Sequence, residues 1–435
     1  MWIALANAAP CAKRVASLIG VCLFLAGSIA HAQPVLTLDQ ALRLAEDRSR
    51  QLVAQDYAAA SAREMAVAAA QLPDPTLRAG INDLPINGPD RFSLTRDSFT
   101  MRSIGVMQEF TRDDKRKARA ARFDREAEAA EAGRTLALVN LQRDTALAWL
   151  DTHYQQRVRE ILVAQRDEAR LQIEAADAAY RGGRGSQADV FSARAAVAQI
   201  EDRIAQADRQ VATARSRLAR WVGEAANQPL AAVPNTDAFR LDWARLDDHV
   251  SHHPQIEVML RQEQVARAEA EIAQTNKRSD WSAELMYSQR GPAYSNMISI
   301  NFSIPWQLDR NKRQDRELAA KLAVIDQMQA QREEATREHV TEVRTWLQQW
   351  RSNRDRLARY DDVIIPLAAE RTRAALAGYR GSSVPLGAVL EARRMEIDTR
   401  LERVRLEMEA AGLWAQLEYL IPAPAPGSVS LGQFK

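Results

Sequence analysis

The stretch YRGGRGSQADVFSAR at residues 180–194 returns as YRGSSVPLGAVLEAR at residues 379–393, and this pairing decides the fold. Every position is displaced by 199 residues, without a gap. Each copy follows a long run rich in Ala, Leu, Arg, Glu and Gln, which are strong helix formers. A fixed displacement marks an internal duplication, and this one far exceeds the roughly 20–50 residues of a solenoid repeat. The sequence therefore predicts one body built from two similar halves.

Both halves are predicted to follow one order of elements, in which a helix, two strands, a long helix, a Gly-rich turn and a helix succeed each other. In the first repeat, residues 33–235, periodicity predicts helices over 37–71, 112–180 and 187–221 and strands over 76–83 and 99–110. In the second repeat, residues 236–421, it predicts helices over 246–276, 310–379 (kinked at Pro366) and 386–420, and strands over 281–288 and 298–306. The predicted fold class is mainly α with a small β part.

Helix lengths predict how the helices pack. At 1.5 Å per residue the helix over 112–180 would be roughly 100 Å long. The two shorter helices of the first half together hold about as many residues, and the same holds in the second half. Two short helices placed end to end are therefore expected to pack beside each long helix.

The first 32 residues read as a secretory signal peptide. Lys13 and Arg14 precede an apolar run over 15–29, and Ala30–Ala32 supplies a small-x-small cleavage site. The apolar run is shorter than the ~20 residues that a membrane-spanning helix needs. At the other end, residues 422–435 are rich in Pro, Gly and Ser and are predicted to form a flexible tail.

Charge and cysteine content narrow the function of the mature chain. Removing Lys13 and Arg14 with the signal peptide leaves 57 of 59 basic residues, against 57 acidic ones. A nucleic-acid binder carries an excess of positive charge, so no nucleic-acid partner is expected. Cys11 and Cys22 both lie in the signal peptide, so the mature chain is expected to hold no disulfide and no thiolate metal site.

The four predicted strands alternate between an apolar and a polar face. Four strands cannot close a barrel by themselves, because small closed barrels need about eight. The alternation is typical of outer-membrane strands, which span the bilayer in about 9–11 residues with apolar side chains toward lipid. It fits equally a small soluble sheet packed on helices. In a barrel shared between copies, the lipid-facing side chains would include Ile298, Ile300, Phe302 and Ile304.

With its duplicated order and its two turns, the chain resembles the TolC-like outer-membrane factors over residues 36–421. The turns at 180–194 and 378–392 are the most specific match, and Phe302–Trp306 before the second long helix is also typical of the family. The resemblance implies a homotrimer in the outer membrane of a Gram-negative bacterium, with a large periplasmic part. Each chain would give four strands to a 12-stranded β-barrel and its helices to a periplasmic α-barrel.

Such proteins are the exit ducts of tripartite efflux pumps and of some secretion systems. The resemblance implies that the turns meet a periplasmic membrane-fusion adaptor and an inner-membrane RND-type transporter. Gly182 and Gly381 are expected to allow backbone angles that bulkier residues resist. The implied docking residues are Tyr180, Arg181, Gly182, Gly185, Tyr379, Arg380 and Gly381.

Residues 71–75 (QLPDP) leading to 82–85 (NDLP) look like the CzcC- and CusC-like branch, which serves heavy-metal pumps. Two alternatives stay open. The same duct would suit organic-solute or drug efflux or type I protein secretion. A member of another class, a periplasmic coiled-coil scaffold without a pore, would share the helical pattern.

A gate is implied at the turns. The family narrows its periplasmic end with two acidic residues spaced three apart in the second turn, and the matching positions here are Ala388 and Glu391. Asp189 in the first turn is the candidate substitute for the missing acid. A ring of carboxylates favours cations, and mutual repulsion should raise the proton affinity of its members. In the alternative interpretation Asp189 caps its helix.

Other residue clusters give weaker signals. His249, His252 and His253 suit a metal site in principle, but a polar helix start before Pro254 explains them more simply. Methionines in or beside the strands suggest either a soft-metal path or, more simply, lipid-facing or interface positions; they are Met101, Met107, Met286 and Met297. No nucleophile with a base, phosphate loop or catalytic zinc motif is present, so neither an enzyme nor a cofactor is expected.

Overall fold

The computed structural model describes residues 35–240, 253–381 and 383–422. The predicted signal peptide and residues 423–435 of the predicted tail lie outside these ranges, as do residues 241–252. The boundaries chosen for the two repeats, at 235/236, therefore remain a prediction.

Long helices dominate the described chain, as predicted. In order they are α1 (Leu38–Arg48), α2 (Arg50–Ala69), α3 (Asp113–Arg181), α4 (Gln187–Val222), α5 (Pro254–Thr275), α6 (Gln314–Arg359), α7 (Ile365–Arg380) and α8 (Leu386–Glu418). A 3-10 turn at Gly223–Asn227 follows α4. Among the described residues, no helix is both long enough and apolar enough to cross a membrane.

The strands of both halves form one antiparallel sheet in the order β1-β2-β3-β4. They are β1 (Thr76–Asn82), β2 (Met101–Phe110), β3 (Trp281–Gln289) and β4 (Met297–Ser303). The two edge strands have 7 residues each, fewer than the sequence predicts. Each edge strand has a strand neighbour on one side only in the single chain.

Local capping sets the first helices. Thr37 and Gln40 form the expected capping box, with both backbone–side-chain distances at 3.1 Å. The predicted helix over 37–71 is nevertheless divided at Ser49, whose backbone is extended (ψ 107°). The Ser49 hydroxyl accepts a hydrogen bond from Leu52 N at 3.3 Å and so starts α2. A single residue therefore closes one helix and opens the next.

The helix predicted over 310–379 is interrupted just before Pro366, where the sequence predicted a kink. A π-helical turn at Tyr360–Ile364 separates α6 from α7, and Ile365 N donates to the carbonyl of Tyr360. Proline lacks the N–H that would bond the carbonyl four residues earlier, which disfavours regular α geometry there.

The helices pack as their lengths predict, with shorter helices beside each long one. Helices α2 and α4 both lie against α3, and α8 lies against both α6 and α7. Contacts between α3 and α5 join the halves. The main core surrounds Trp149, which is fully buried and donates from Nε1 to Leu36 O at 3.2 Å. Two smaller clusters continue the core along the helices toward the turns.

Candidate functional site

The two copies of the repeated segment form one end of the helical part. Val190 and Ala193 from the first copy pack with Leu386 and Val389 from the second in a buried cluster. Tyr379 is half-buried against this cluster, whereas its counterpart Tyr180 is 46% exposed. The structure thus packs the two repeated segments against each other and makes the two turns unequal.

Backbone geometry corrects the role expected for two of the glycines. Gly182 and Gly381 both have φ of −82°, which any residue adopts. The left-handed residue of the first turn is Gly183, with φ of 68°. It reverses the chain so that Arg184 N and Gly185 N both donate to Ala179 O, at 2.9 and 3.1 Å. The special backbone conformation therefore lies one residue later than predicted.

At one pair of packed positions the two turns carry a glycine and a larger residue in opposite order, and we call this the size exchange. It becomes visible only when the two copies are compared. A Cβ on Gly185 would lie 3.2 Å from Ala179 Cβ. In the second copy Gly378 stands in place of Ala179, and Val384 stands in place of Gly185. A Cβ on Gly378 would lie 2.9 Å from Cγ2 of Val384. Each turn therefore needs one glycine in this pair of positions, but not the same one. The signal was present in the alignment of the two copies at a displacement of 199 residues.

The charged docking residues are on the surface. Arg181 pairs with Asp177 at 2.5 Å, one turn back on α3. Arg380 is exposed at the end of α7. The turns thus present cationic side chains around a small apolar cluster.

The two candidate gate residues differ in environment. Asp189 is the third residue of α4, and its carboxylate accepts from Ser186 N at 2.9 Å and Ser186 Oγ at 2.7 Å. The hydrogen bond from Ser186 N, and to a lesser extent that from the Ser186 hydroxyl, lowers the pKa of Asp189. A ring of like charges is expected to shift this pKa in the opposite direction. Glu391 is exposed on α8, in a groove that also holds Arg203 and Arg394. The capping interpretation of Asp189 is therefore observed, and the gate stays a prediction.

One face of the sheet is apolar and uncovered. Register places Leu77, Val106, Leu285 and Ile300 side by side across all four strands. All four side chains are exposed, and Ile300 is 64% exposed. The side chains predicted to face lipid all lie on this face, and each is exposed by more than half; they are Ile298, Ile300, Phe302 and Ile304. No helix of the described chain covers them, so this face of the sheet does not pack on the helices of its own chain.

The opposite face is polar and internally bonded. Arg78 pairs with Glu284 at 3.1 Å, and Asn301 Nδ2 donates to the same carboxylate at 3.2 Å. The register also places the four strand methionines on this face, opposite Asn82, Glu284, Gly105 and Ser288. The lipid-facing alternative for them is therefore wrong, because each occupies the polar parity of its strand, and the interface alternative stays a prediction; they are Met101, Met107, Met286 and Met297.

Aromatic side chains border the apolar face at both ends. Near the helices Phe110 stacks on Trp281 with ring centroids 4.2 Å apart, and Phe302 lies 6.4 Å from Trp281. At the far end Tyr287, which lies between Ile104 and Ile298 on the same face, is exposed. Such belts are typical of side chains at the two boundaries of a bilayer.

Of the three clustered histidines, His253 lies in the described part of the chain. His253 caps α5, since its Nδ1 accepts from Gln255 N at 3.2 Å. Its ring lies 4.1 Å from that of His339, a contact that the sequence did not predict. No group of three metal-ligating side chains is present among the described residues. His249 and His252 lie outside them.

The fold is shared with solved outer-membrane channels. The crystal structure of CusC aligns with a TM-score of 0.76 at 16% identity, covering 89% of this chain and 92% of that one. The outer-membrane channel OprN aligns with a TM-score of 0.73 at 17% identity (89% and 90% covered), and the outer membrane protein VceC of Vibrio cholerae with 0.72 at 18% (88% and 95%). No protein-family model and no curated protein matches the sequence. At these identities the likeness establishes the fold, which is that of an outer-membrane channel subunit.

Proposed function

We propose that this chain is the outer-membrane exit duct of a tripartite efflux system. It works as a homotrimer with a periplasmic membrane-fusion adaptor and an inner-membrane RND-type transporter. The single observation that carries the proposal is the uncovered apolar face, which runs unbroken across all four strands. The shared fold supports the same conclusion.

The apolar face of the sheet suits lipid better than water, and its two outer edges can pair with further copies of the chain. A contiguous exposed apolar face of this kind is rare on a soluble monomer. The outer edges of β1 and β4 have no strand neighbour within the described sheet. In a bilayer such edges must be paired, because no water is there to satisfy their N–H and C=O groups. Copies of the chain can pair β4 with β1 of the next copy, which puts the apolar face toward lipid and the Arg78–Glu284 face toward the lumen.

The proposed cargo is heavy-metal cations. The support is the similarity of residues 71–75 and 82–85 to the heavy-metal branch of the duct family. The test is complementation in a host that lacks its own duct: growth on a metal salt should be restored, and growth on organic drugs should not. Restored drug resistance alone would favour an organic-solute duct.

Two neighbouring residues of β4 test the membrane placement. Ile300 lies opposite Leu285 on the apolar face, and Ser299 lies opposite Met286 on the polar face. Ile300→Arg should cost about 2–4 kcal/mol at the bilayer midplane and reduce the assembled trimer extracted from outer membranes. Ser299→Arg is the matched control and should assemble nearly normally.

Two outcomes would contradict the proposal. Equal loss of trimer in both variants would refute the assigned register. Recovery of the unmodified chain as a soluble periplasmic monomer would support the pore-less scaffold instead.

A further inference from the structure

The segment that follows β4 carries apolar side chains that nothing in the described chain covers. Trp306 is 83% exposed and Leu308 is 87% exposed, more than any other large apolar side chain in the described ranges. Together with Ile304 they continue the even-numbered apolar face of β4 past the end of the strand. We call residues 304–313 the anchor segment.

The corresponding place in the first half is protected. Phe110 ends β2 at the level of Ile304, beside Trp281, on which it stacks at 4.2 Å. Two residues later, at the level of Trp306, the first half has Arg112, which pairs with Asp114 at 2.7 Å. Trp306 has no ring partner among the described residues. The exposure is thus specific to the second half, and the end of a strand does not by itself explain it.

Cationic side chains follow the apolar ones directly. Residues 304–313 hold three cations, all after Leu308, and one carboxylate, Asp309. Asp309 lies 3.8 Å from Lys312 and Asp315 lies 3.9 Å from Arg310, both at the limit of an ion pair. The near partner of Asp315 is Lys277, at 2.8 Å. The anchor segment therefore keeps an excess of positive charge, and Arg313 has no ion-pair partner in the described part of the chain.

We propose that the anchor segment binds anionic phospholipid at the helix-side boundary of the membrane. Trp306 and Leu308 enter the boundary of the acyl chains, where amphipathic indole rings are favoured. Arg310, Lys312 and Arg313 bind the headgroup phosphates by charge-assisted hydrogen bonds. The inference rests on the proposed function, because the sheet must lie in a bilayer for the segment to reach lipid.

Lipid-quenched fluorescence tests the proposal on the full chain. The protein is reconstituted into vesicles of phosphatidylcholine mixed with phosphatidylglycerol, with bromine on the acyl chains of one lipid or the other. The signal from Trp306 is the quenching that disappears in Trp306→Phe. Bromination of phosphatidylglycerol should quench Trp306 more than bromination of phosphatidylcholine at equal mole fraction, since each nearby cation favours anionic lipid on the order of fivefold.

A charge variant and a matched control locate the lipid preference. Removing three charges as Arg310→Gln, Lys312→Gln and Arg313→Gln should abolish it while Trp306 stays quenched. Removing three exposed charges of α4, Arg194, Arg209 and Arg215, as Gln should leave it intact. Equal quenching by the two brominated lipids in the unmodified chain would overturn the proposal.

One more variant separates this inference from the proposed function. Ile300→Trp in the Trp306→Phe background should be strongly quenched if the sheet lies in lipid. Quenching at 300 without quenching at 306 would overturn the anchor alone and would place Trp306 against a neighbouring copy. Absence of quenching at both positions would overturn the membrane placement as well.

Discussion

Mild acid should destabilise the protein through two buried imidazoles. His253 at the start of α5 and His339 on α6 are both more than nine-tenths buried, with ring centroids 4.1 Å apart. Burial, followed by the neighbouring His339 and Arg143 of α3, lowers the pKa of His253 to about 3. Burial also lowers the pKa of His339, opposed in part by Glu342 at 3.3 Å. Both rings are therefore neutral in the folded chain.

The sign and size of the effect follow from linkage. An unfolded histidine takes up its proton near pH 6.5, whereas folded His253 resists it down to about pH 3. The stability that the neutral pair contributes is thus fully present above pH 6.5 and is lost as the pH falls toward 3. At pH 5 the difference in proton uptake at His253 alone amounts to about 2 kcal/mol.

Thermal unfolding of the assembled, detergent-solubilised protein at pH 7 and pH 5 measures the loss. The comparison is with His253→Asn combined with His339→Phe, in which Asn keeps the N-cap acceptor and Phe keeps the ring. Carboxylates titrate alike in both proteins and cancel. The unmodified protein should lose about 2 kcal/mol more than the variant between the two pH values. An equal acid-induced loss in both would refute the reasoning.

Two further predictions concern the turns. Gly378→Ala should weaken the second turn by about 1–3 kcal/mol because the added Cβ overpacks against Val384. The weakening should appear as faster hydrogen exchange around residue 383, and adding Val384→Gly should restore protection. Slow exchange in the single variant would count against the size exchange. Glu391→Gln should reduce cation preference in planar-bilayer conductance, whereas Asp189→Ala, which removes the acceptor for Ser186 N, should cost about 1 kcal/mol of local stability as a lost cap. Unchanged selectivity in Glu391→Gln would place the constriction elsewhere.

Local signals in the sequence predicted most of the fold. The capping box at Thr37, the alternation over 298–304 and the paired Gly-rich turns each depend on a few neighbouring residues. The face of each strand methionine was also available, since Met107 follows the apolar Val106 and so takes the other parity. The prediction failed there because residue type was given more weight than position.

The rest depended on contacts between segments far apart in the chain. The contact between the rings of His253 and His339 joins two helices, and no local pattern encodes it. At the turns, hydrogen bonds to Ala179 O decide which glycine adopts a positive φ, so the number of glycines alone did not reveal it. For Asp189 the sequence offered both a cap and a gate, and only the position of Ser186 shows that the cap forms.

The alternation of apolar and polar residues in the strands left open whether the sheet packs on helices or faces lipid. The exposure of its apolar side chains shows that the sheet does not pack on the helices of its own chain. The chain has a large aromatic core, in which Trp149 is fully buried and Trp350 and Trp414 are nearly so. A chain that can bury these rings could also have covered its sheet, yet Phe302 and Trp306 stay exposed. Exposure confined to one face, bordered by aromatic side chains and followed by cations, indicates a surface suited to a medium other than water. In the proposed trimer, the apolar side chains that make an isolated chain prone to association would face lipid instead of water.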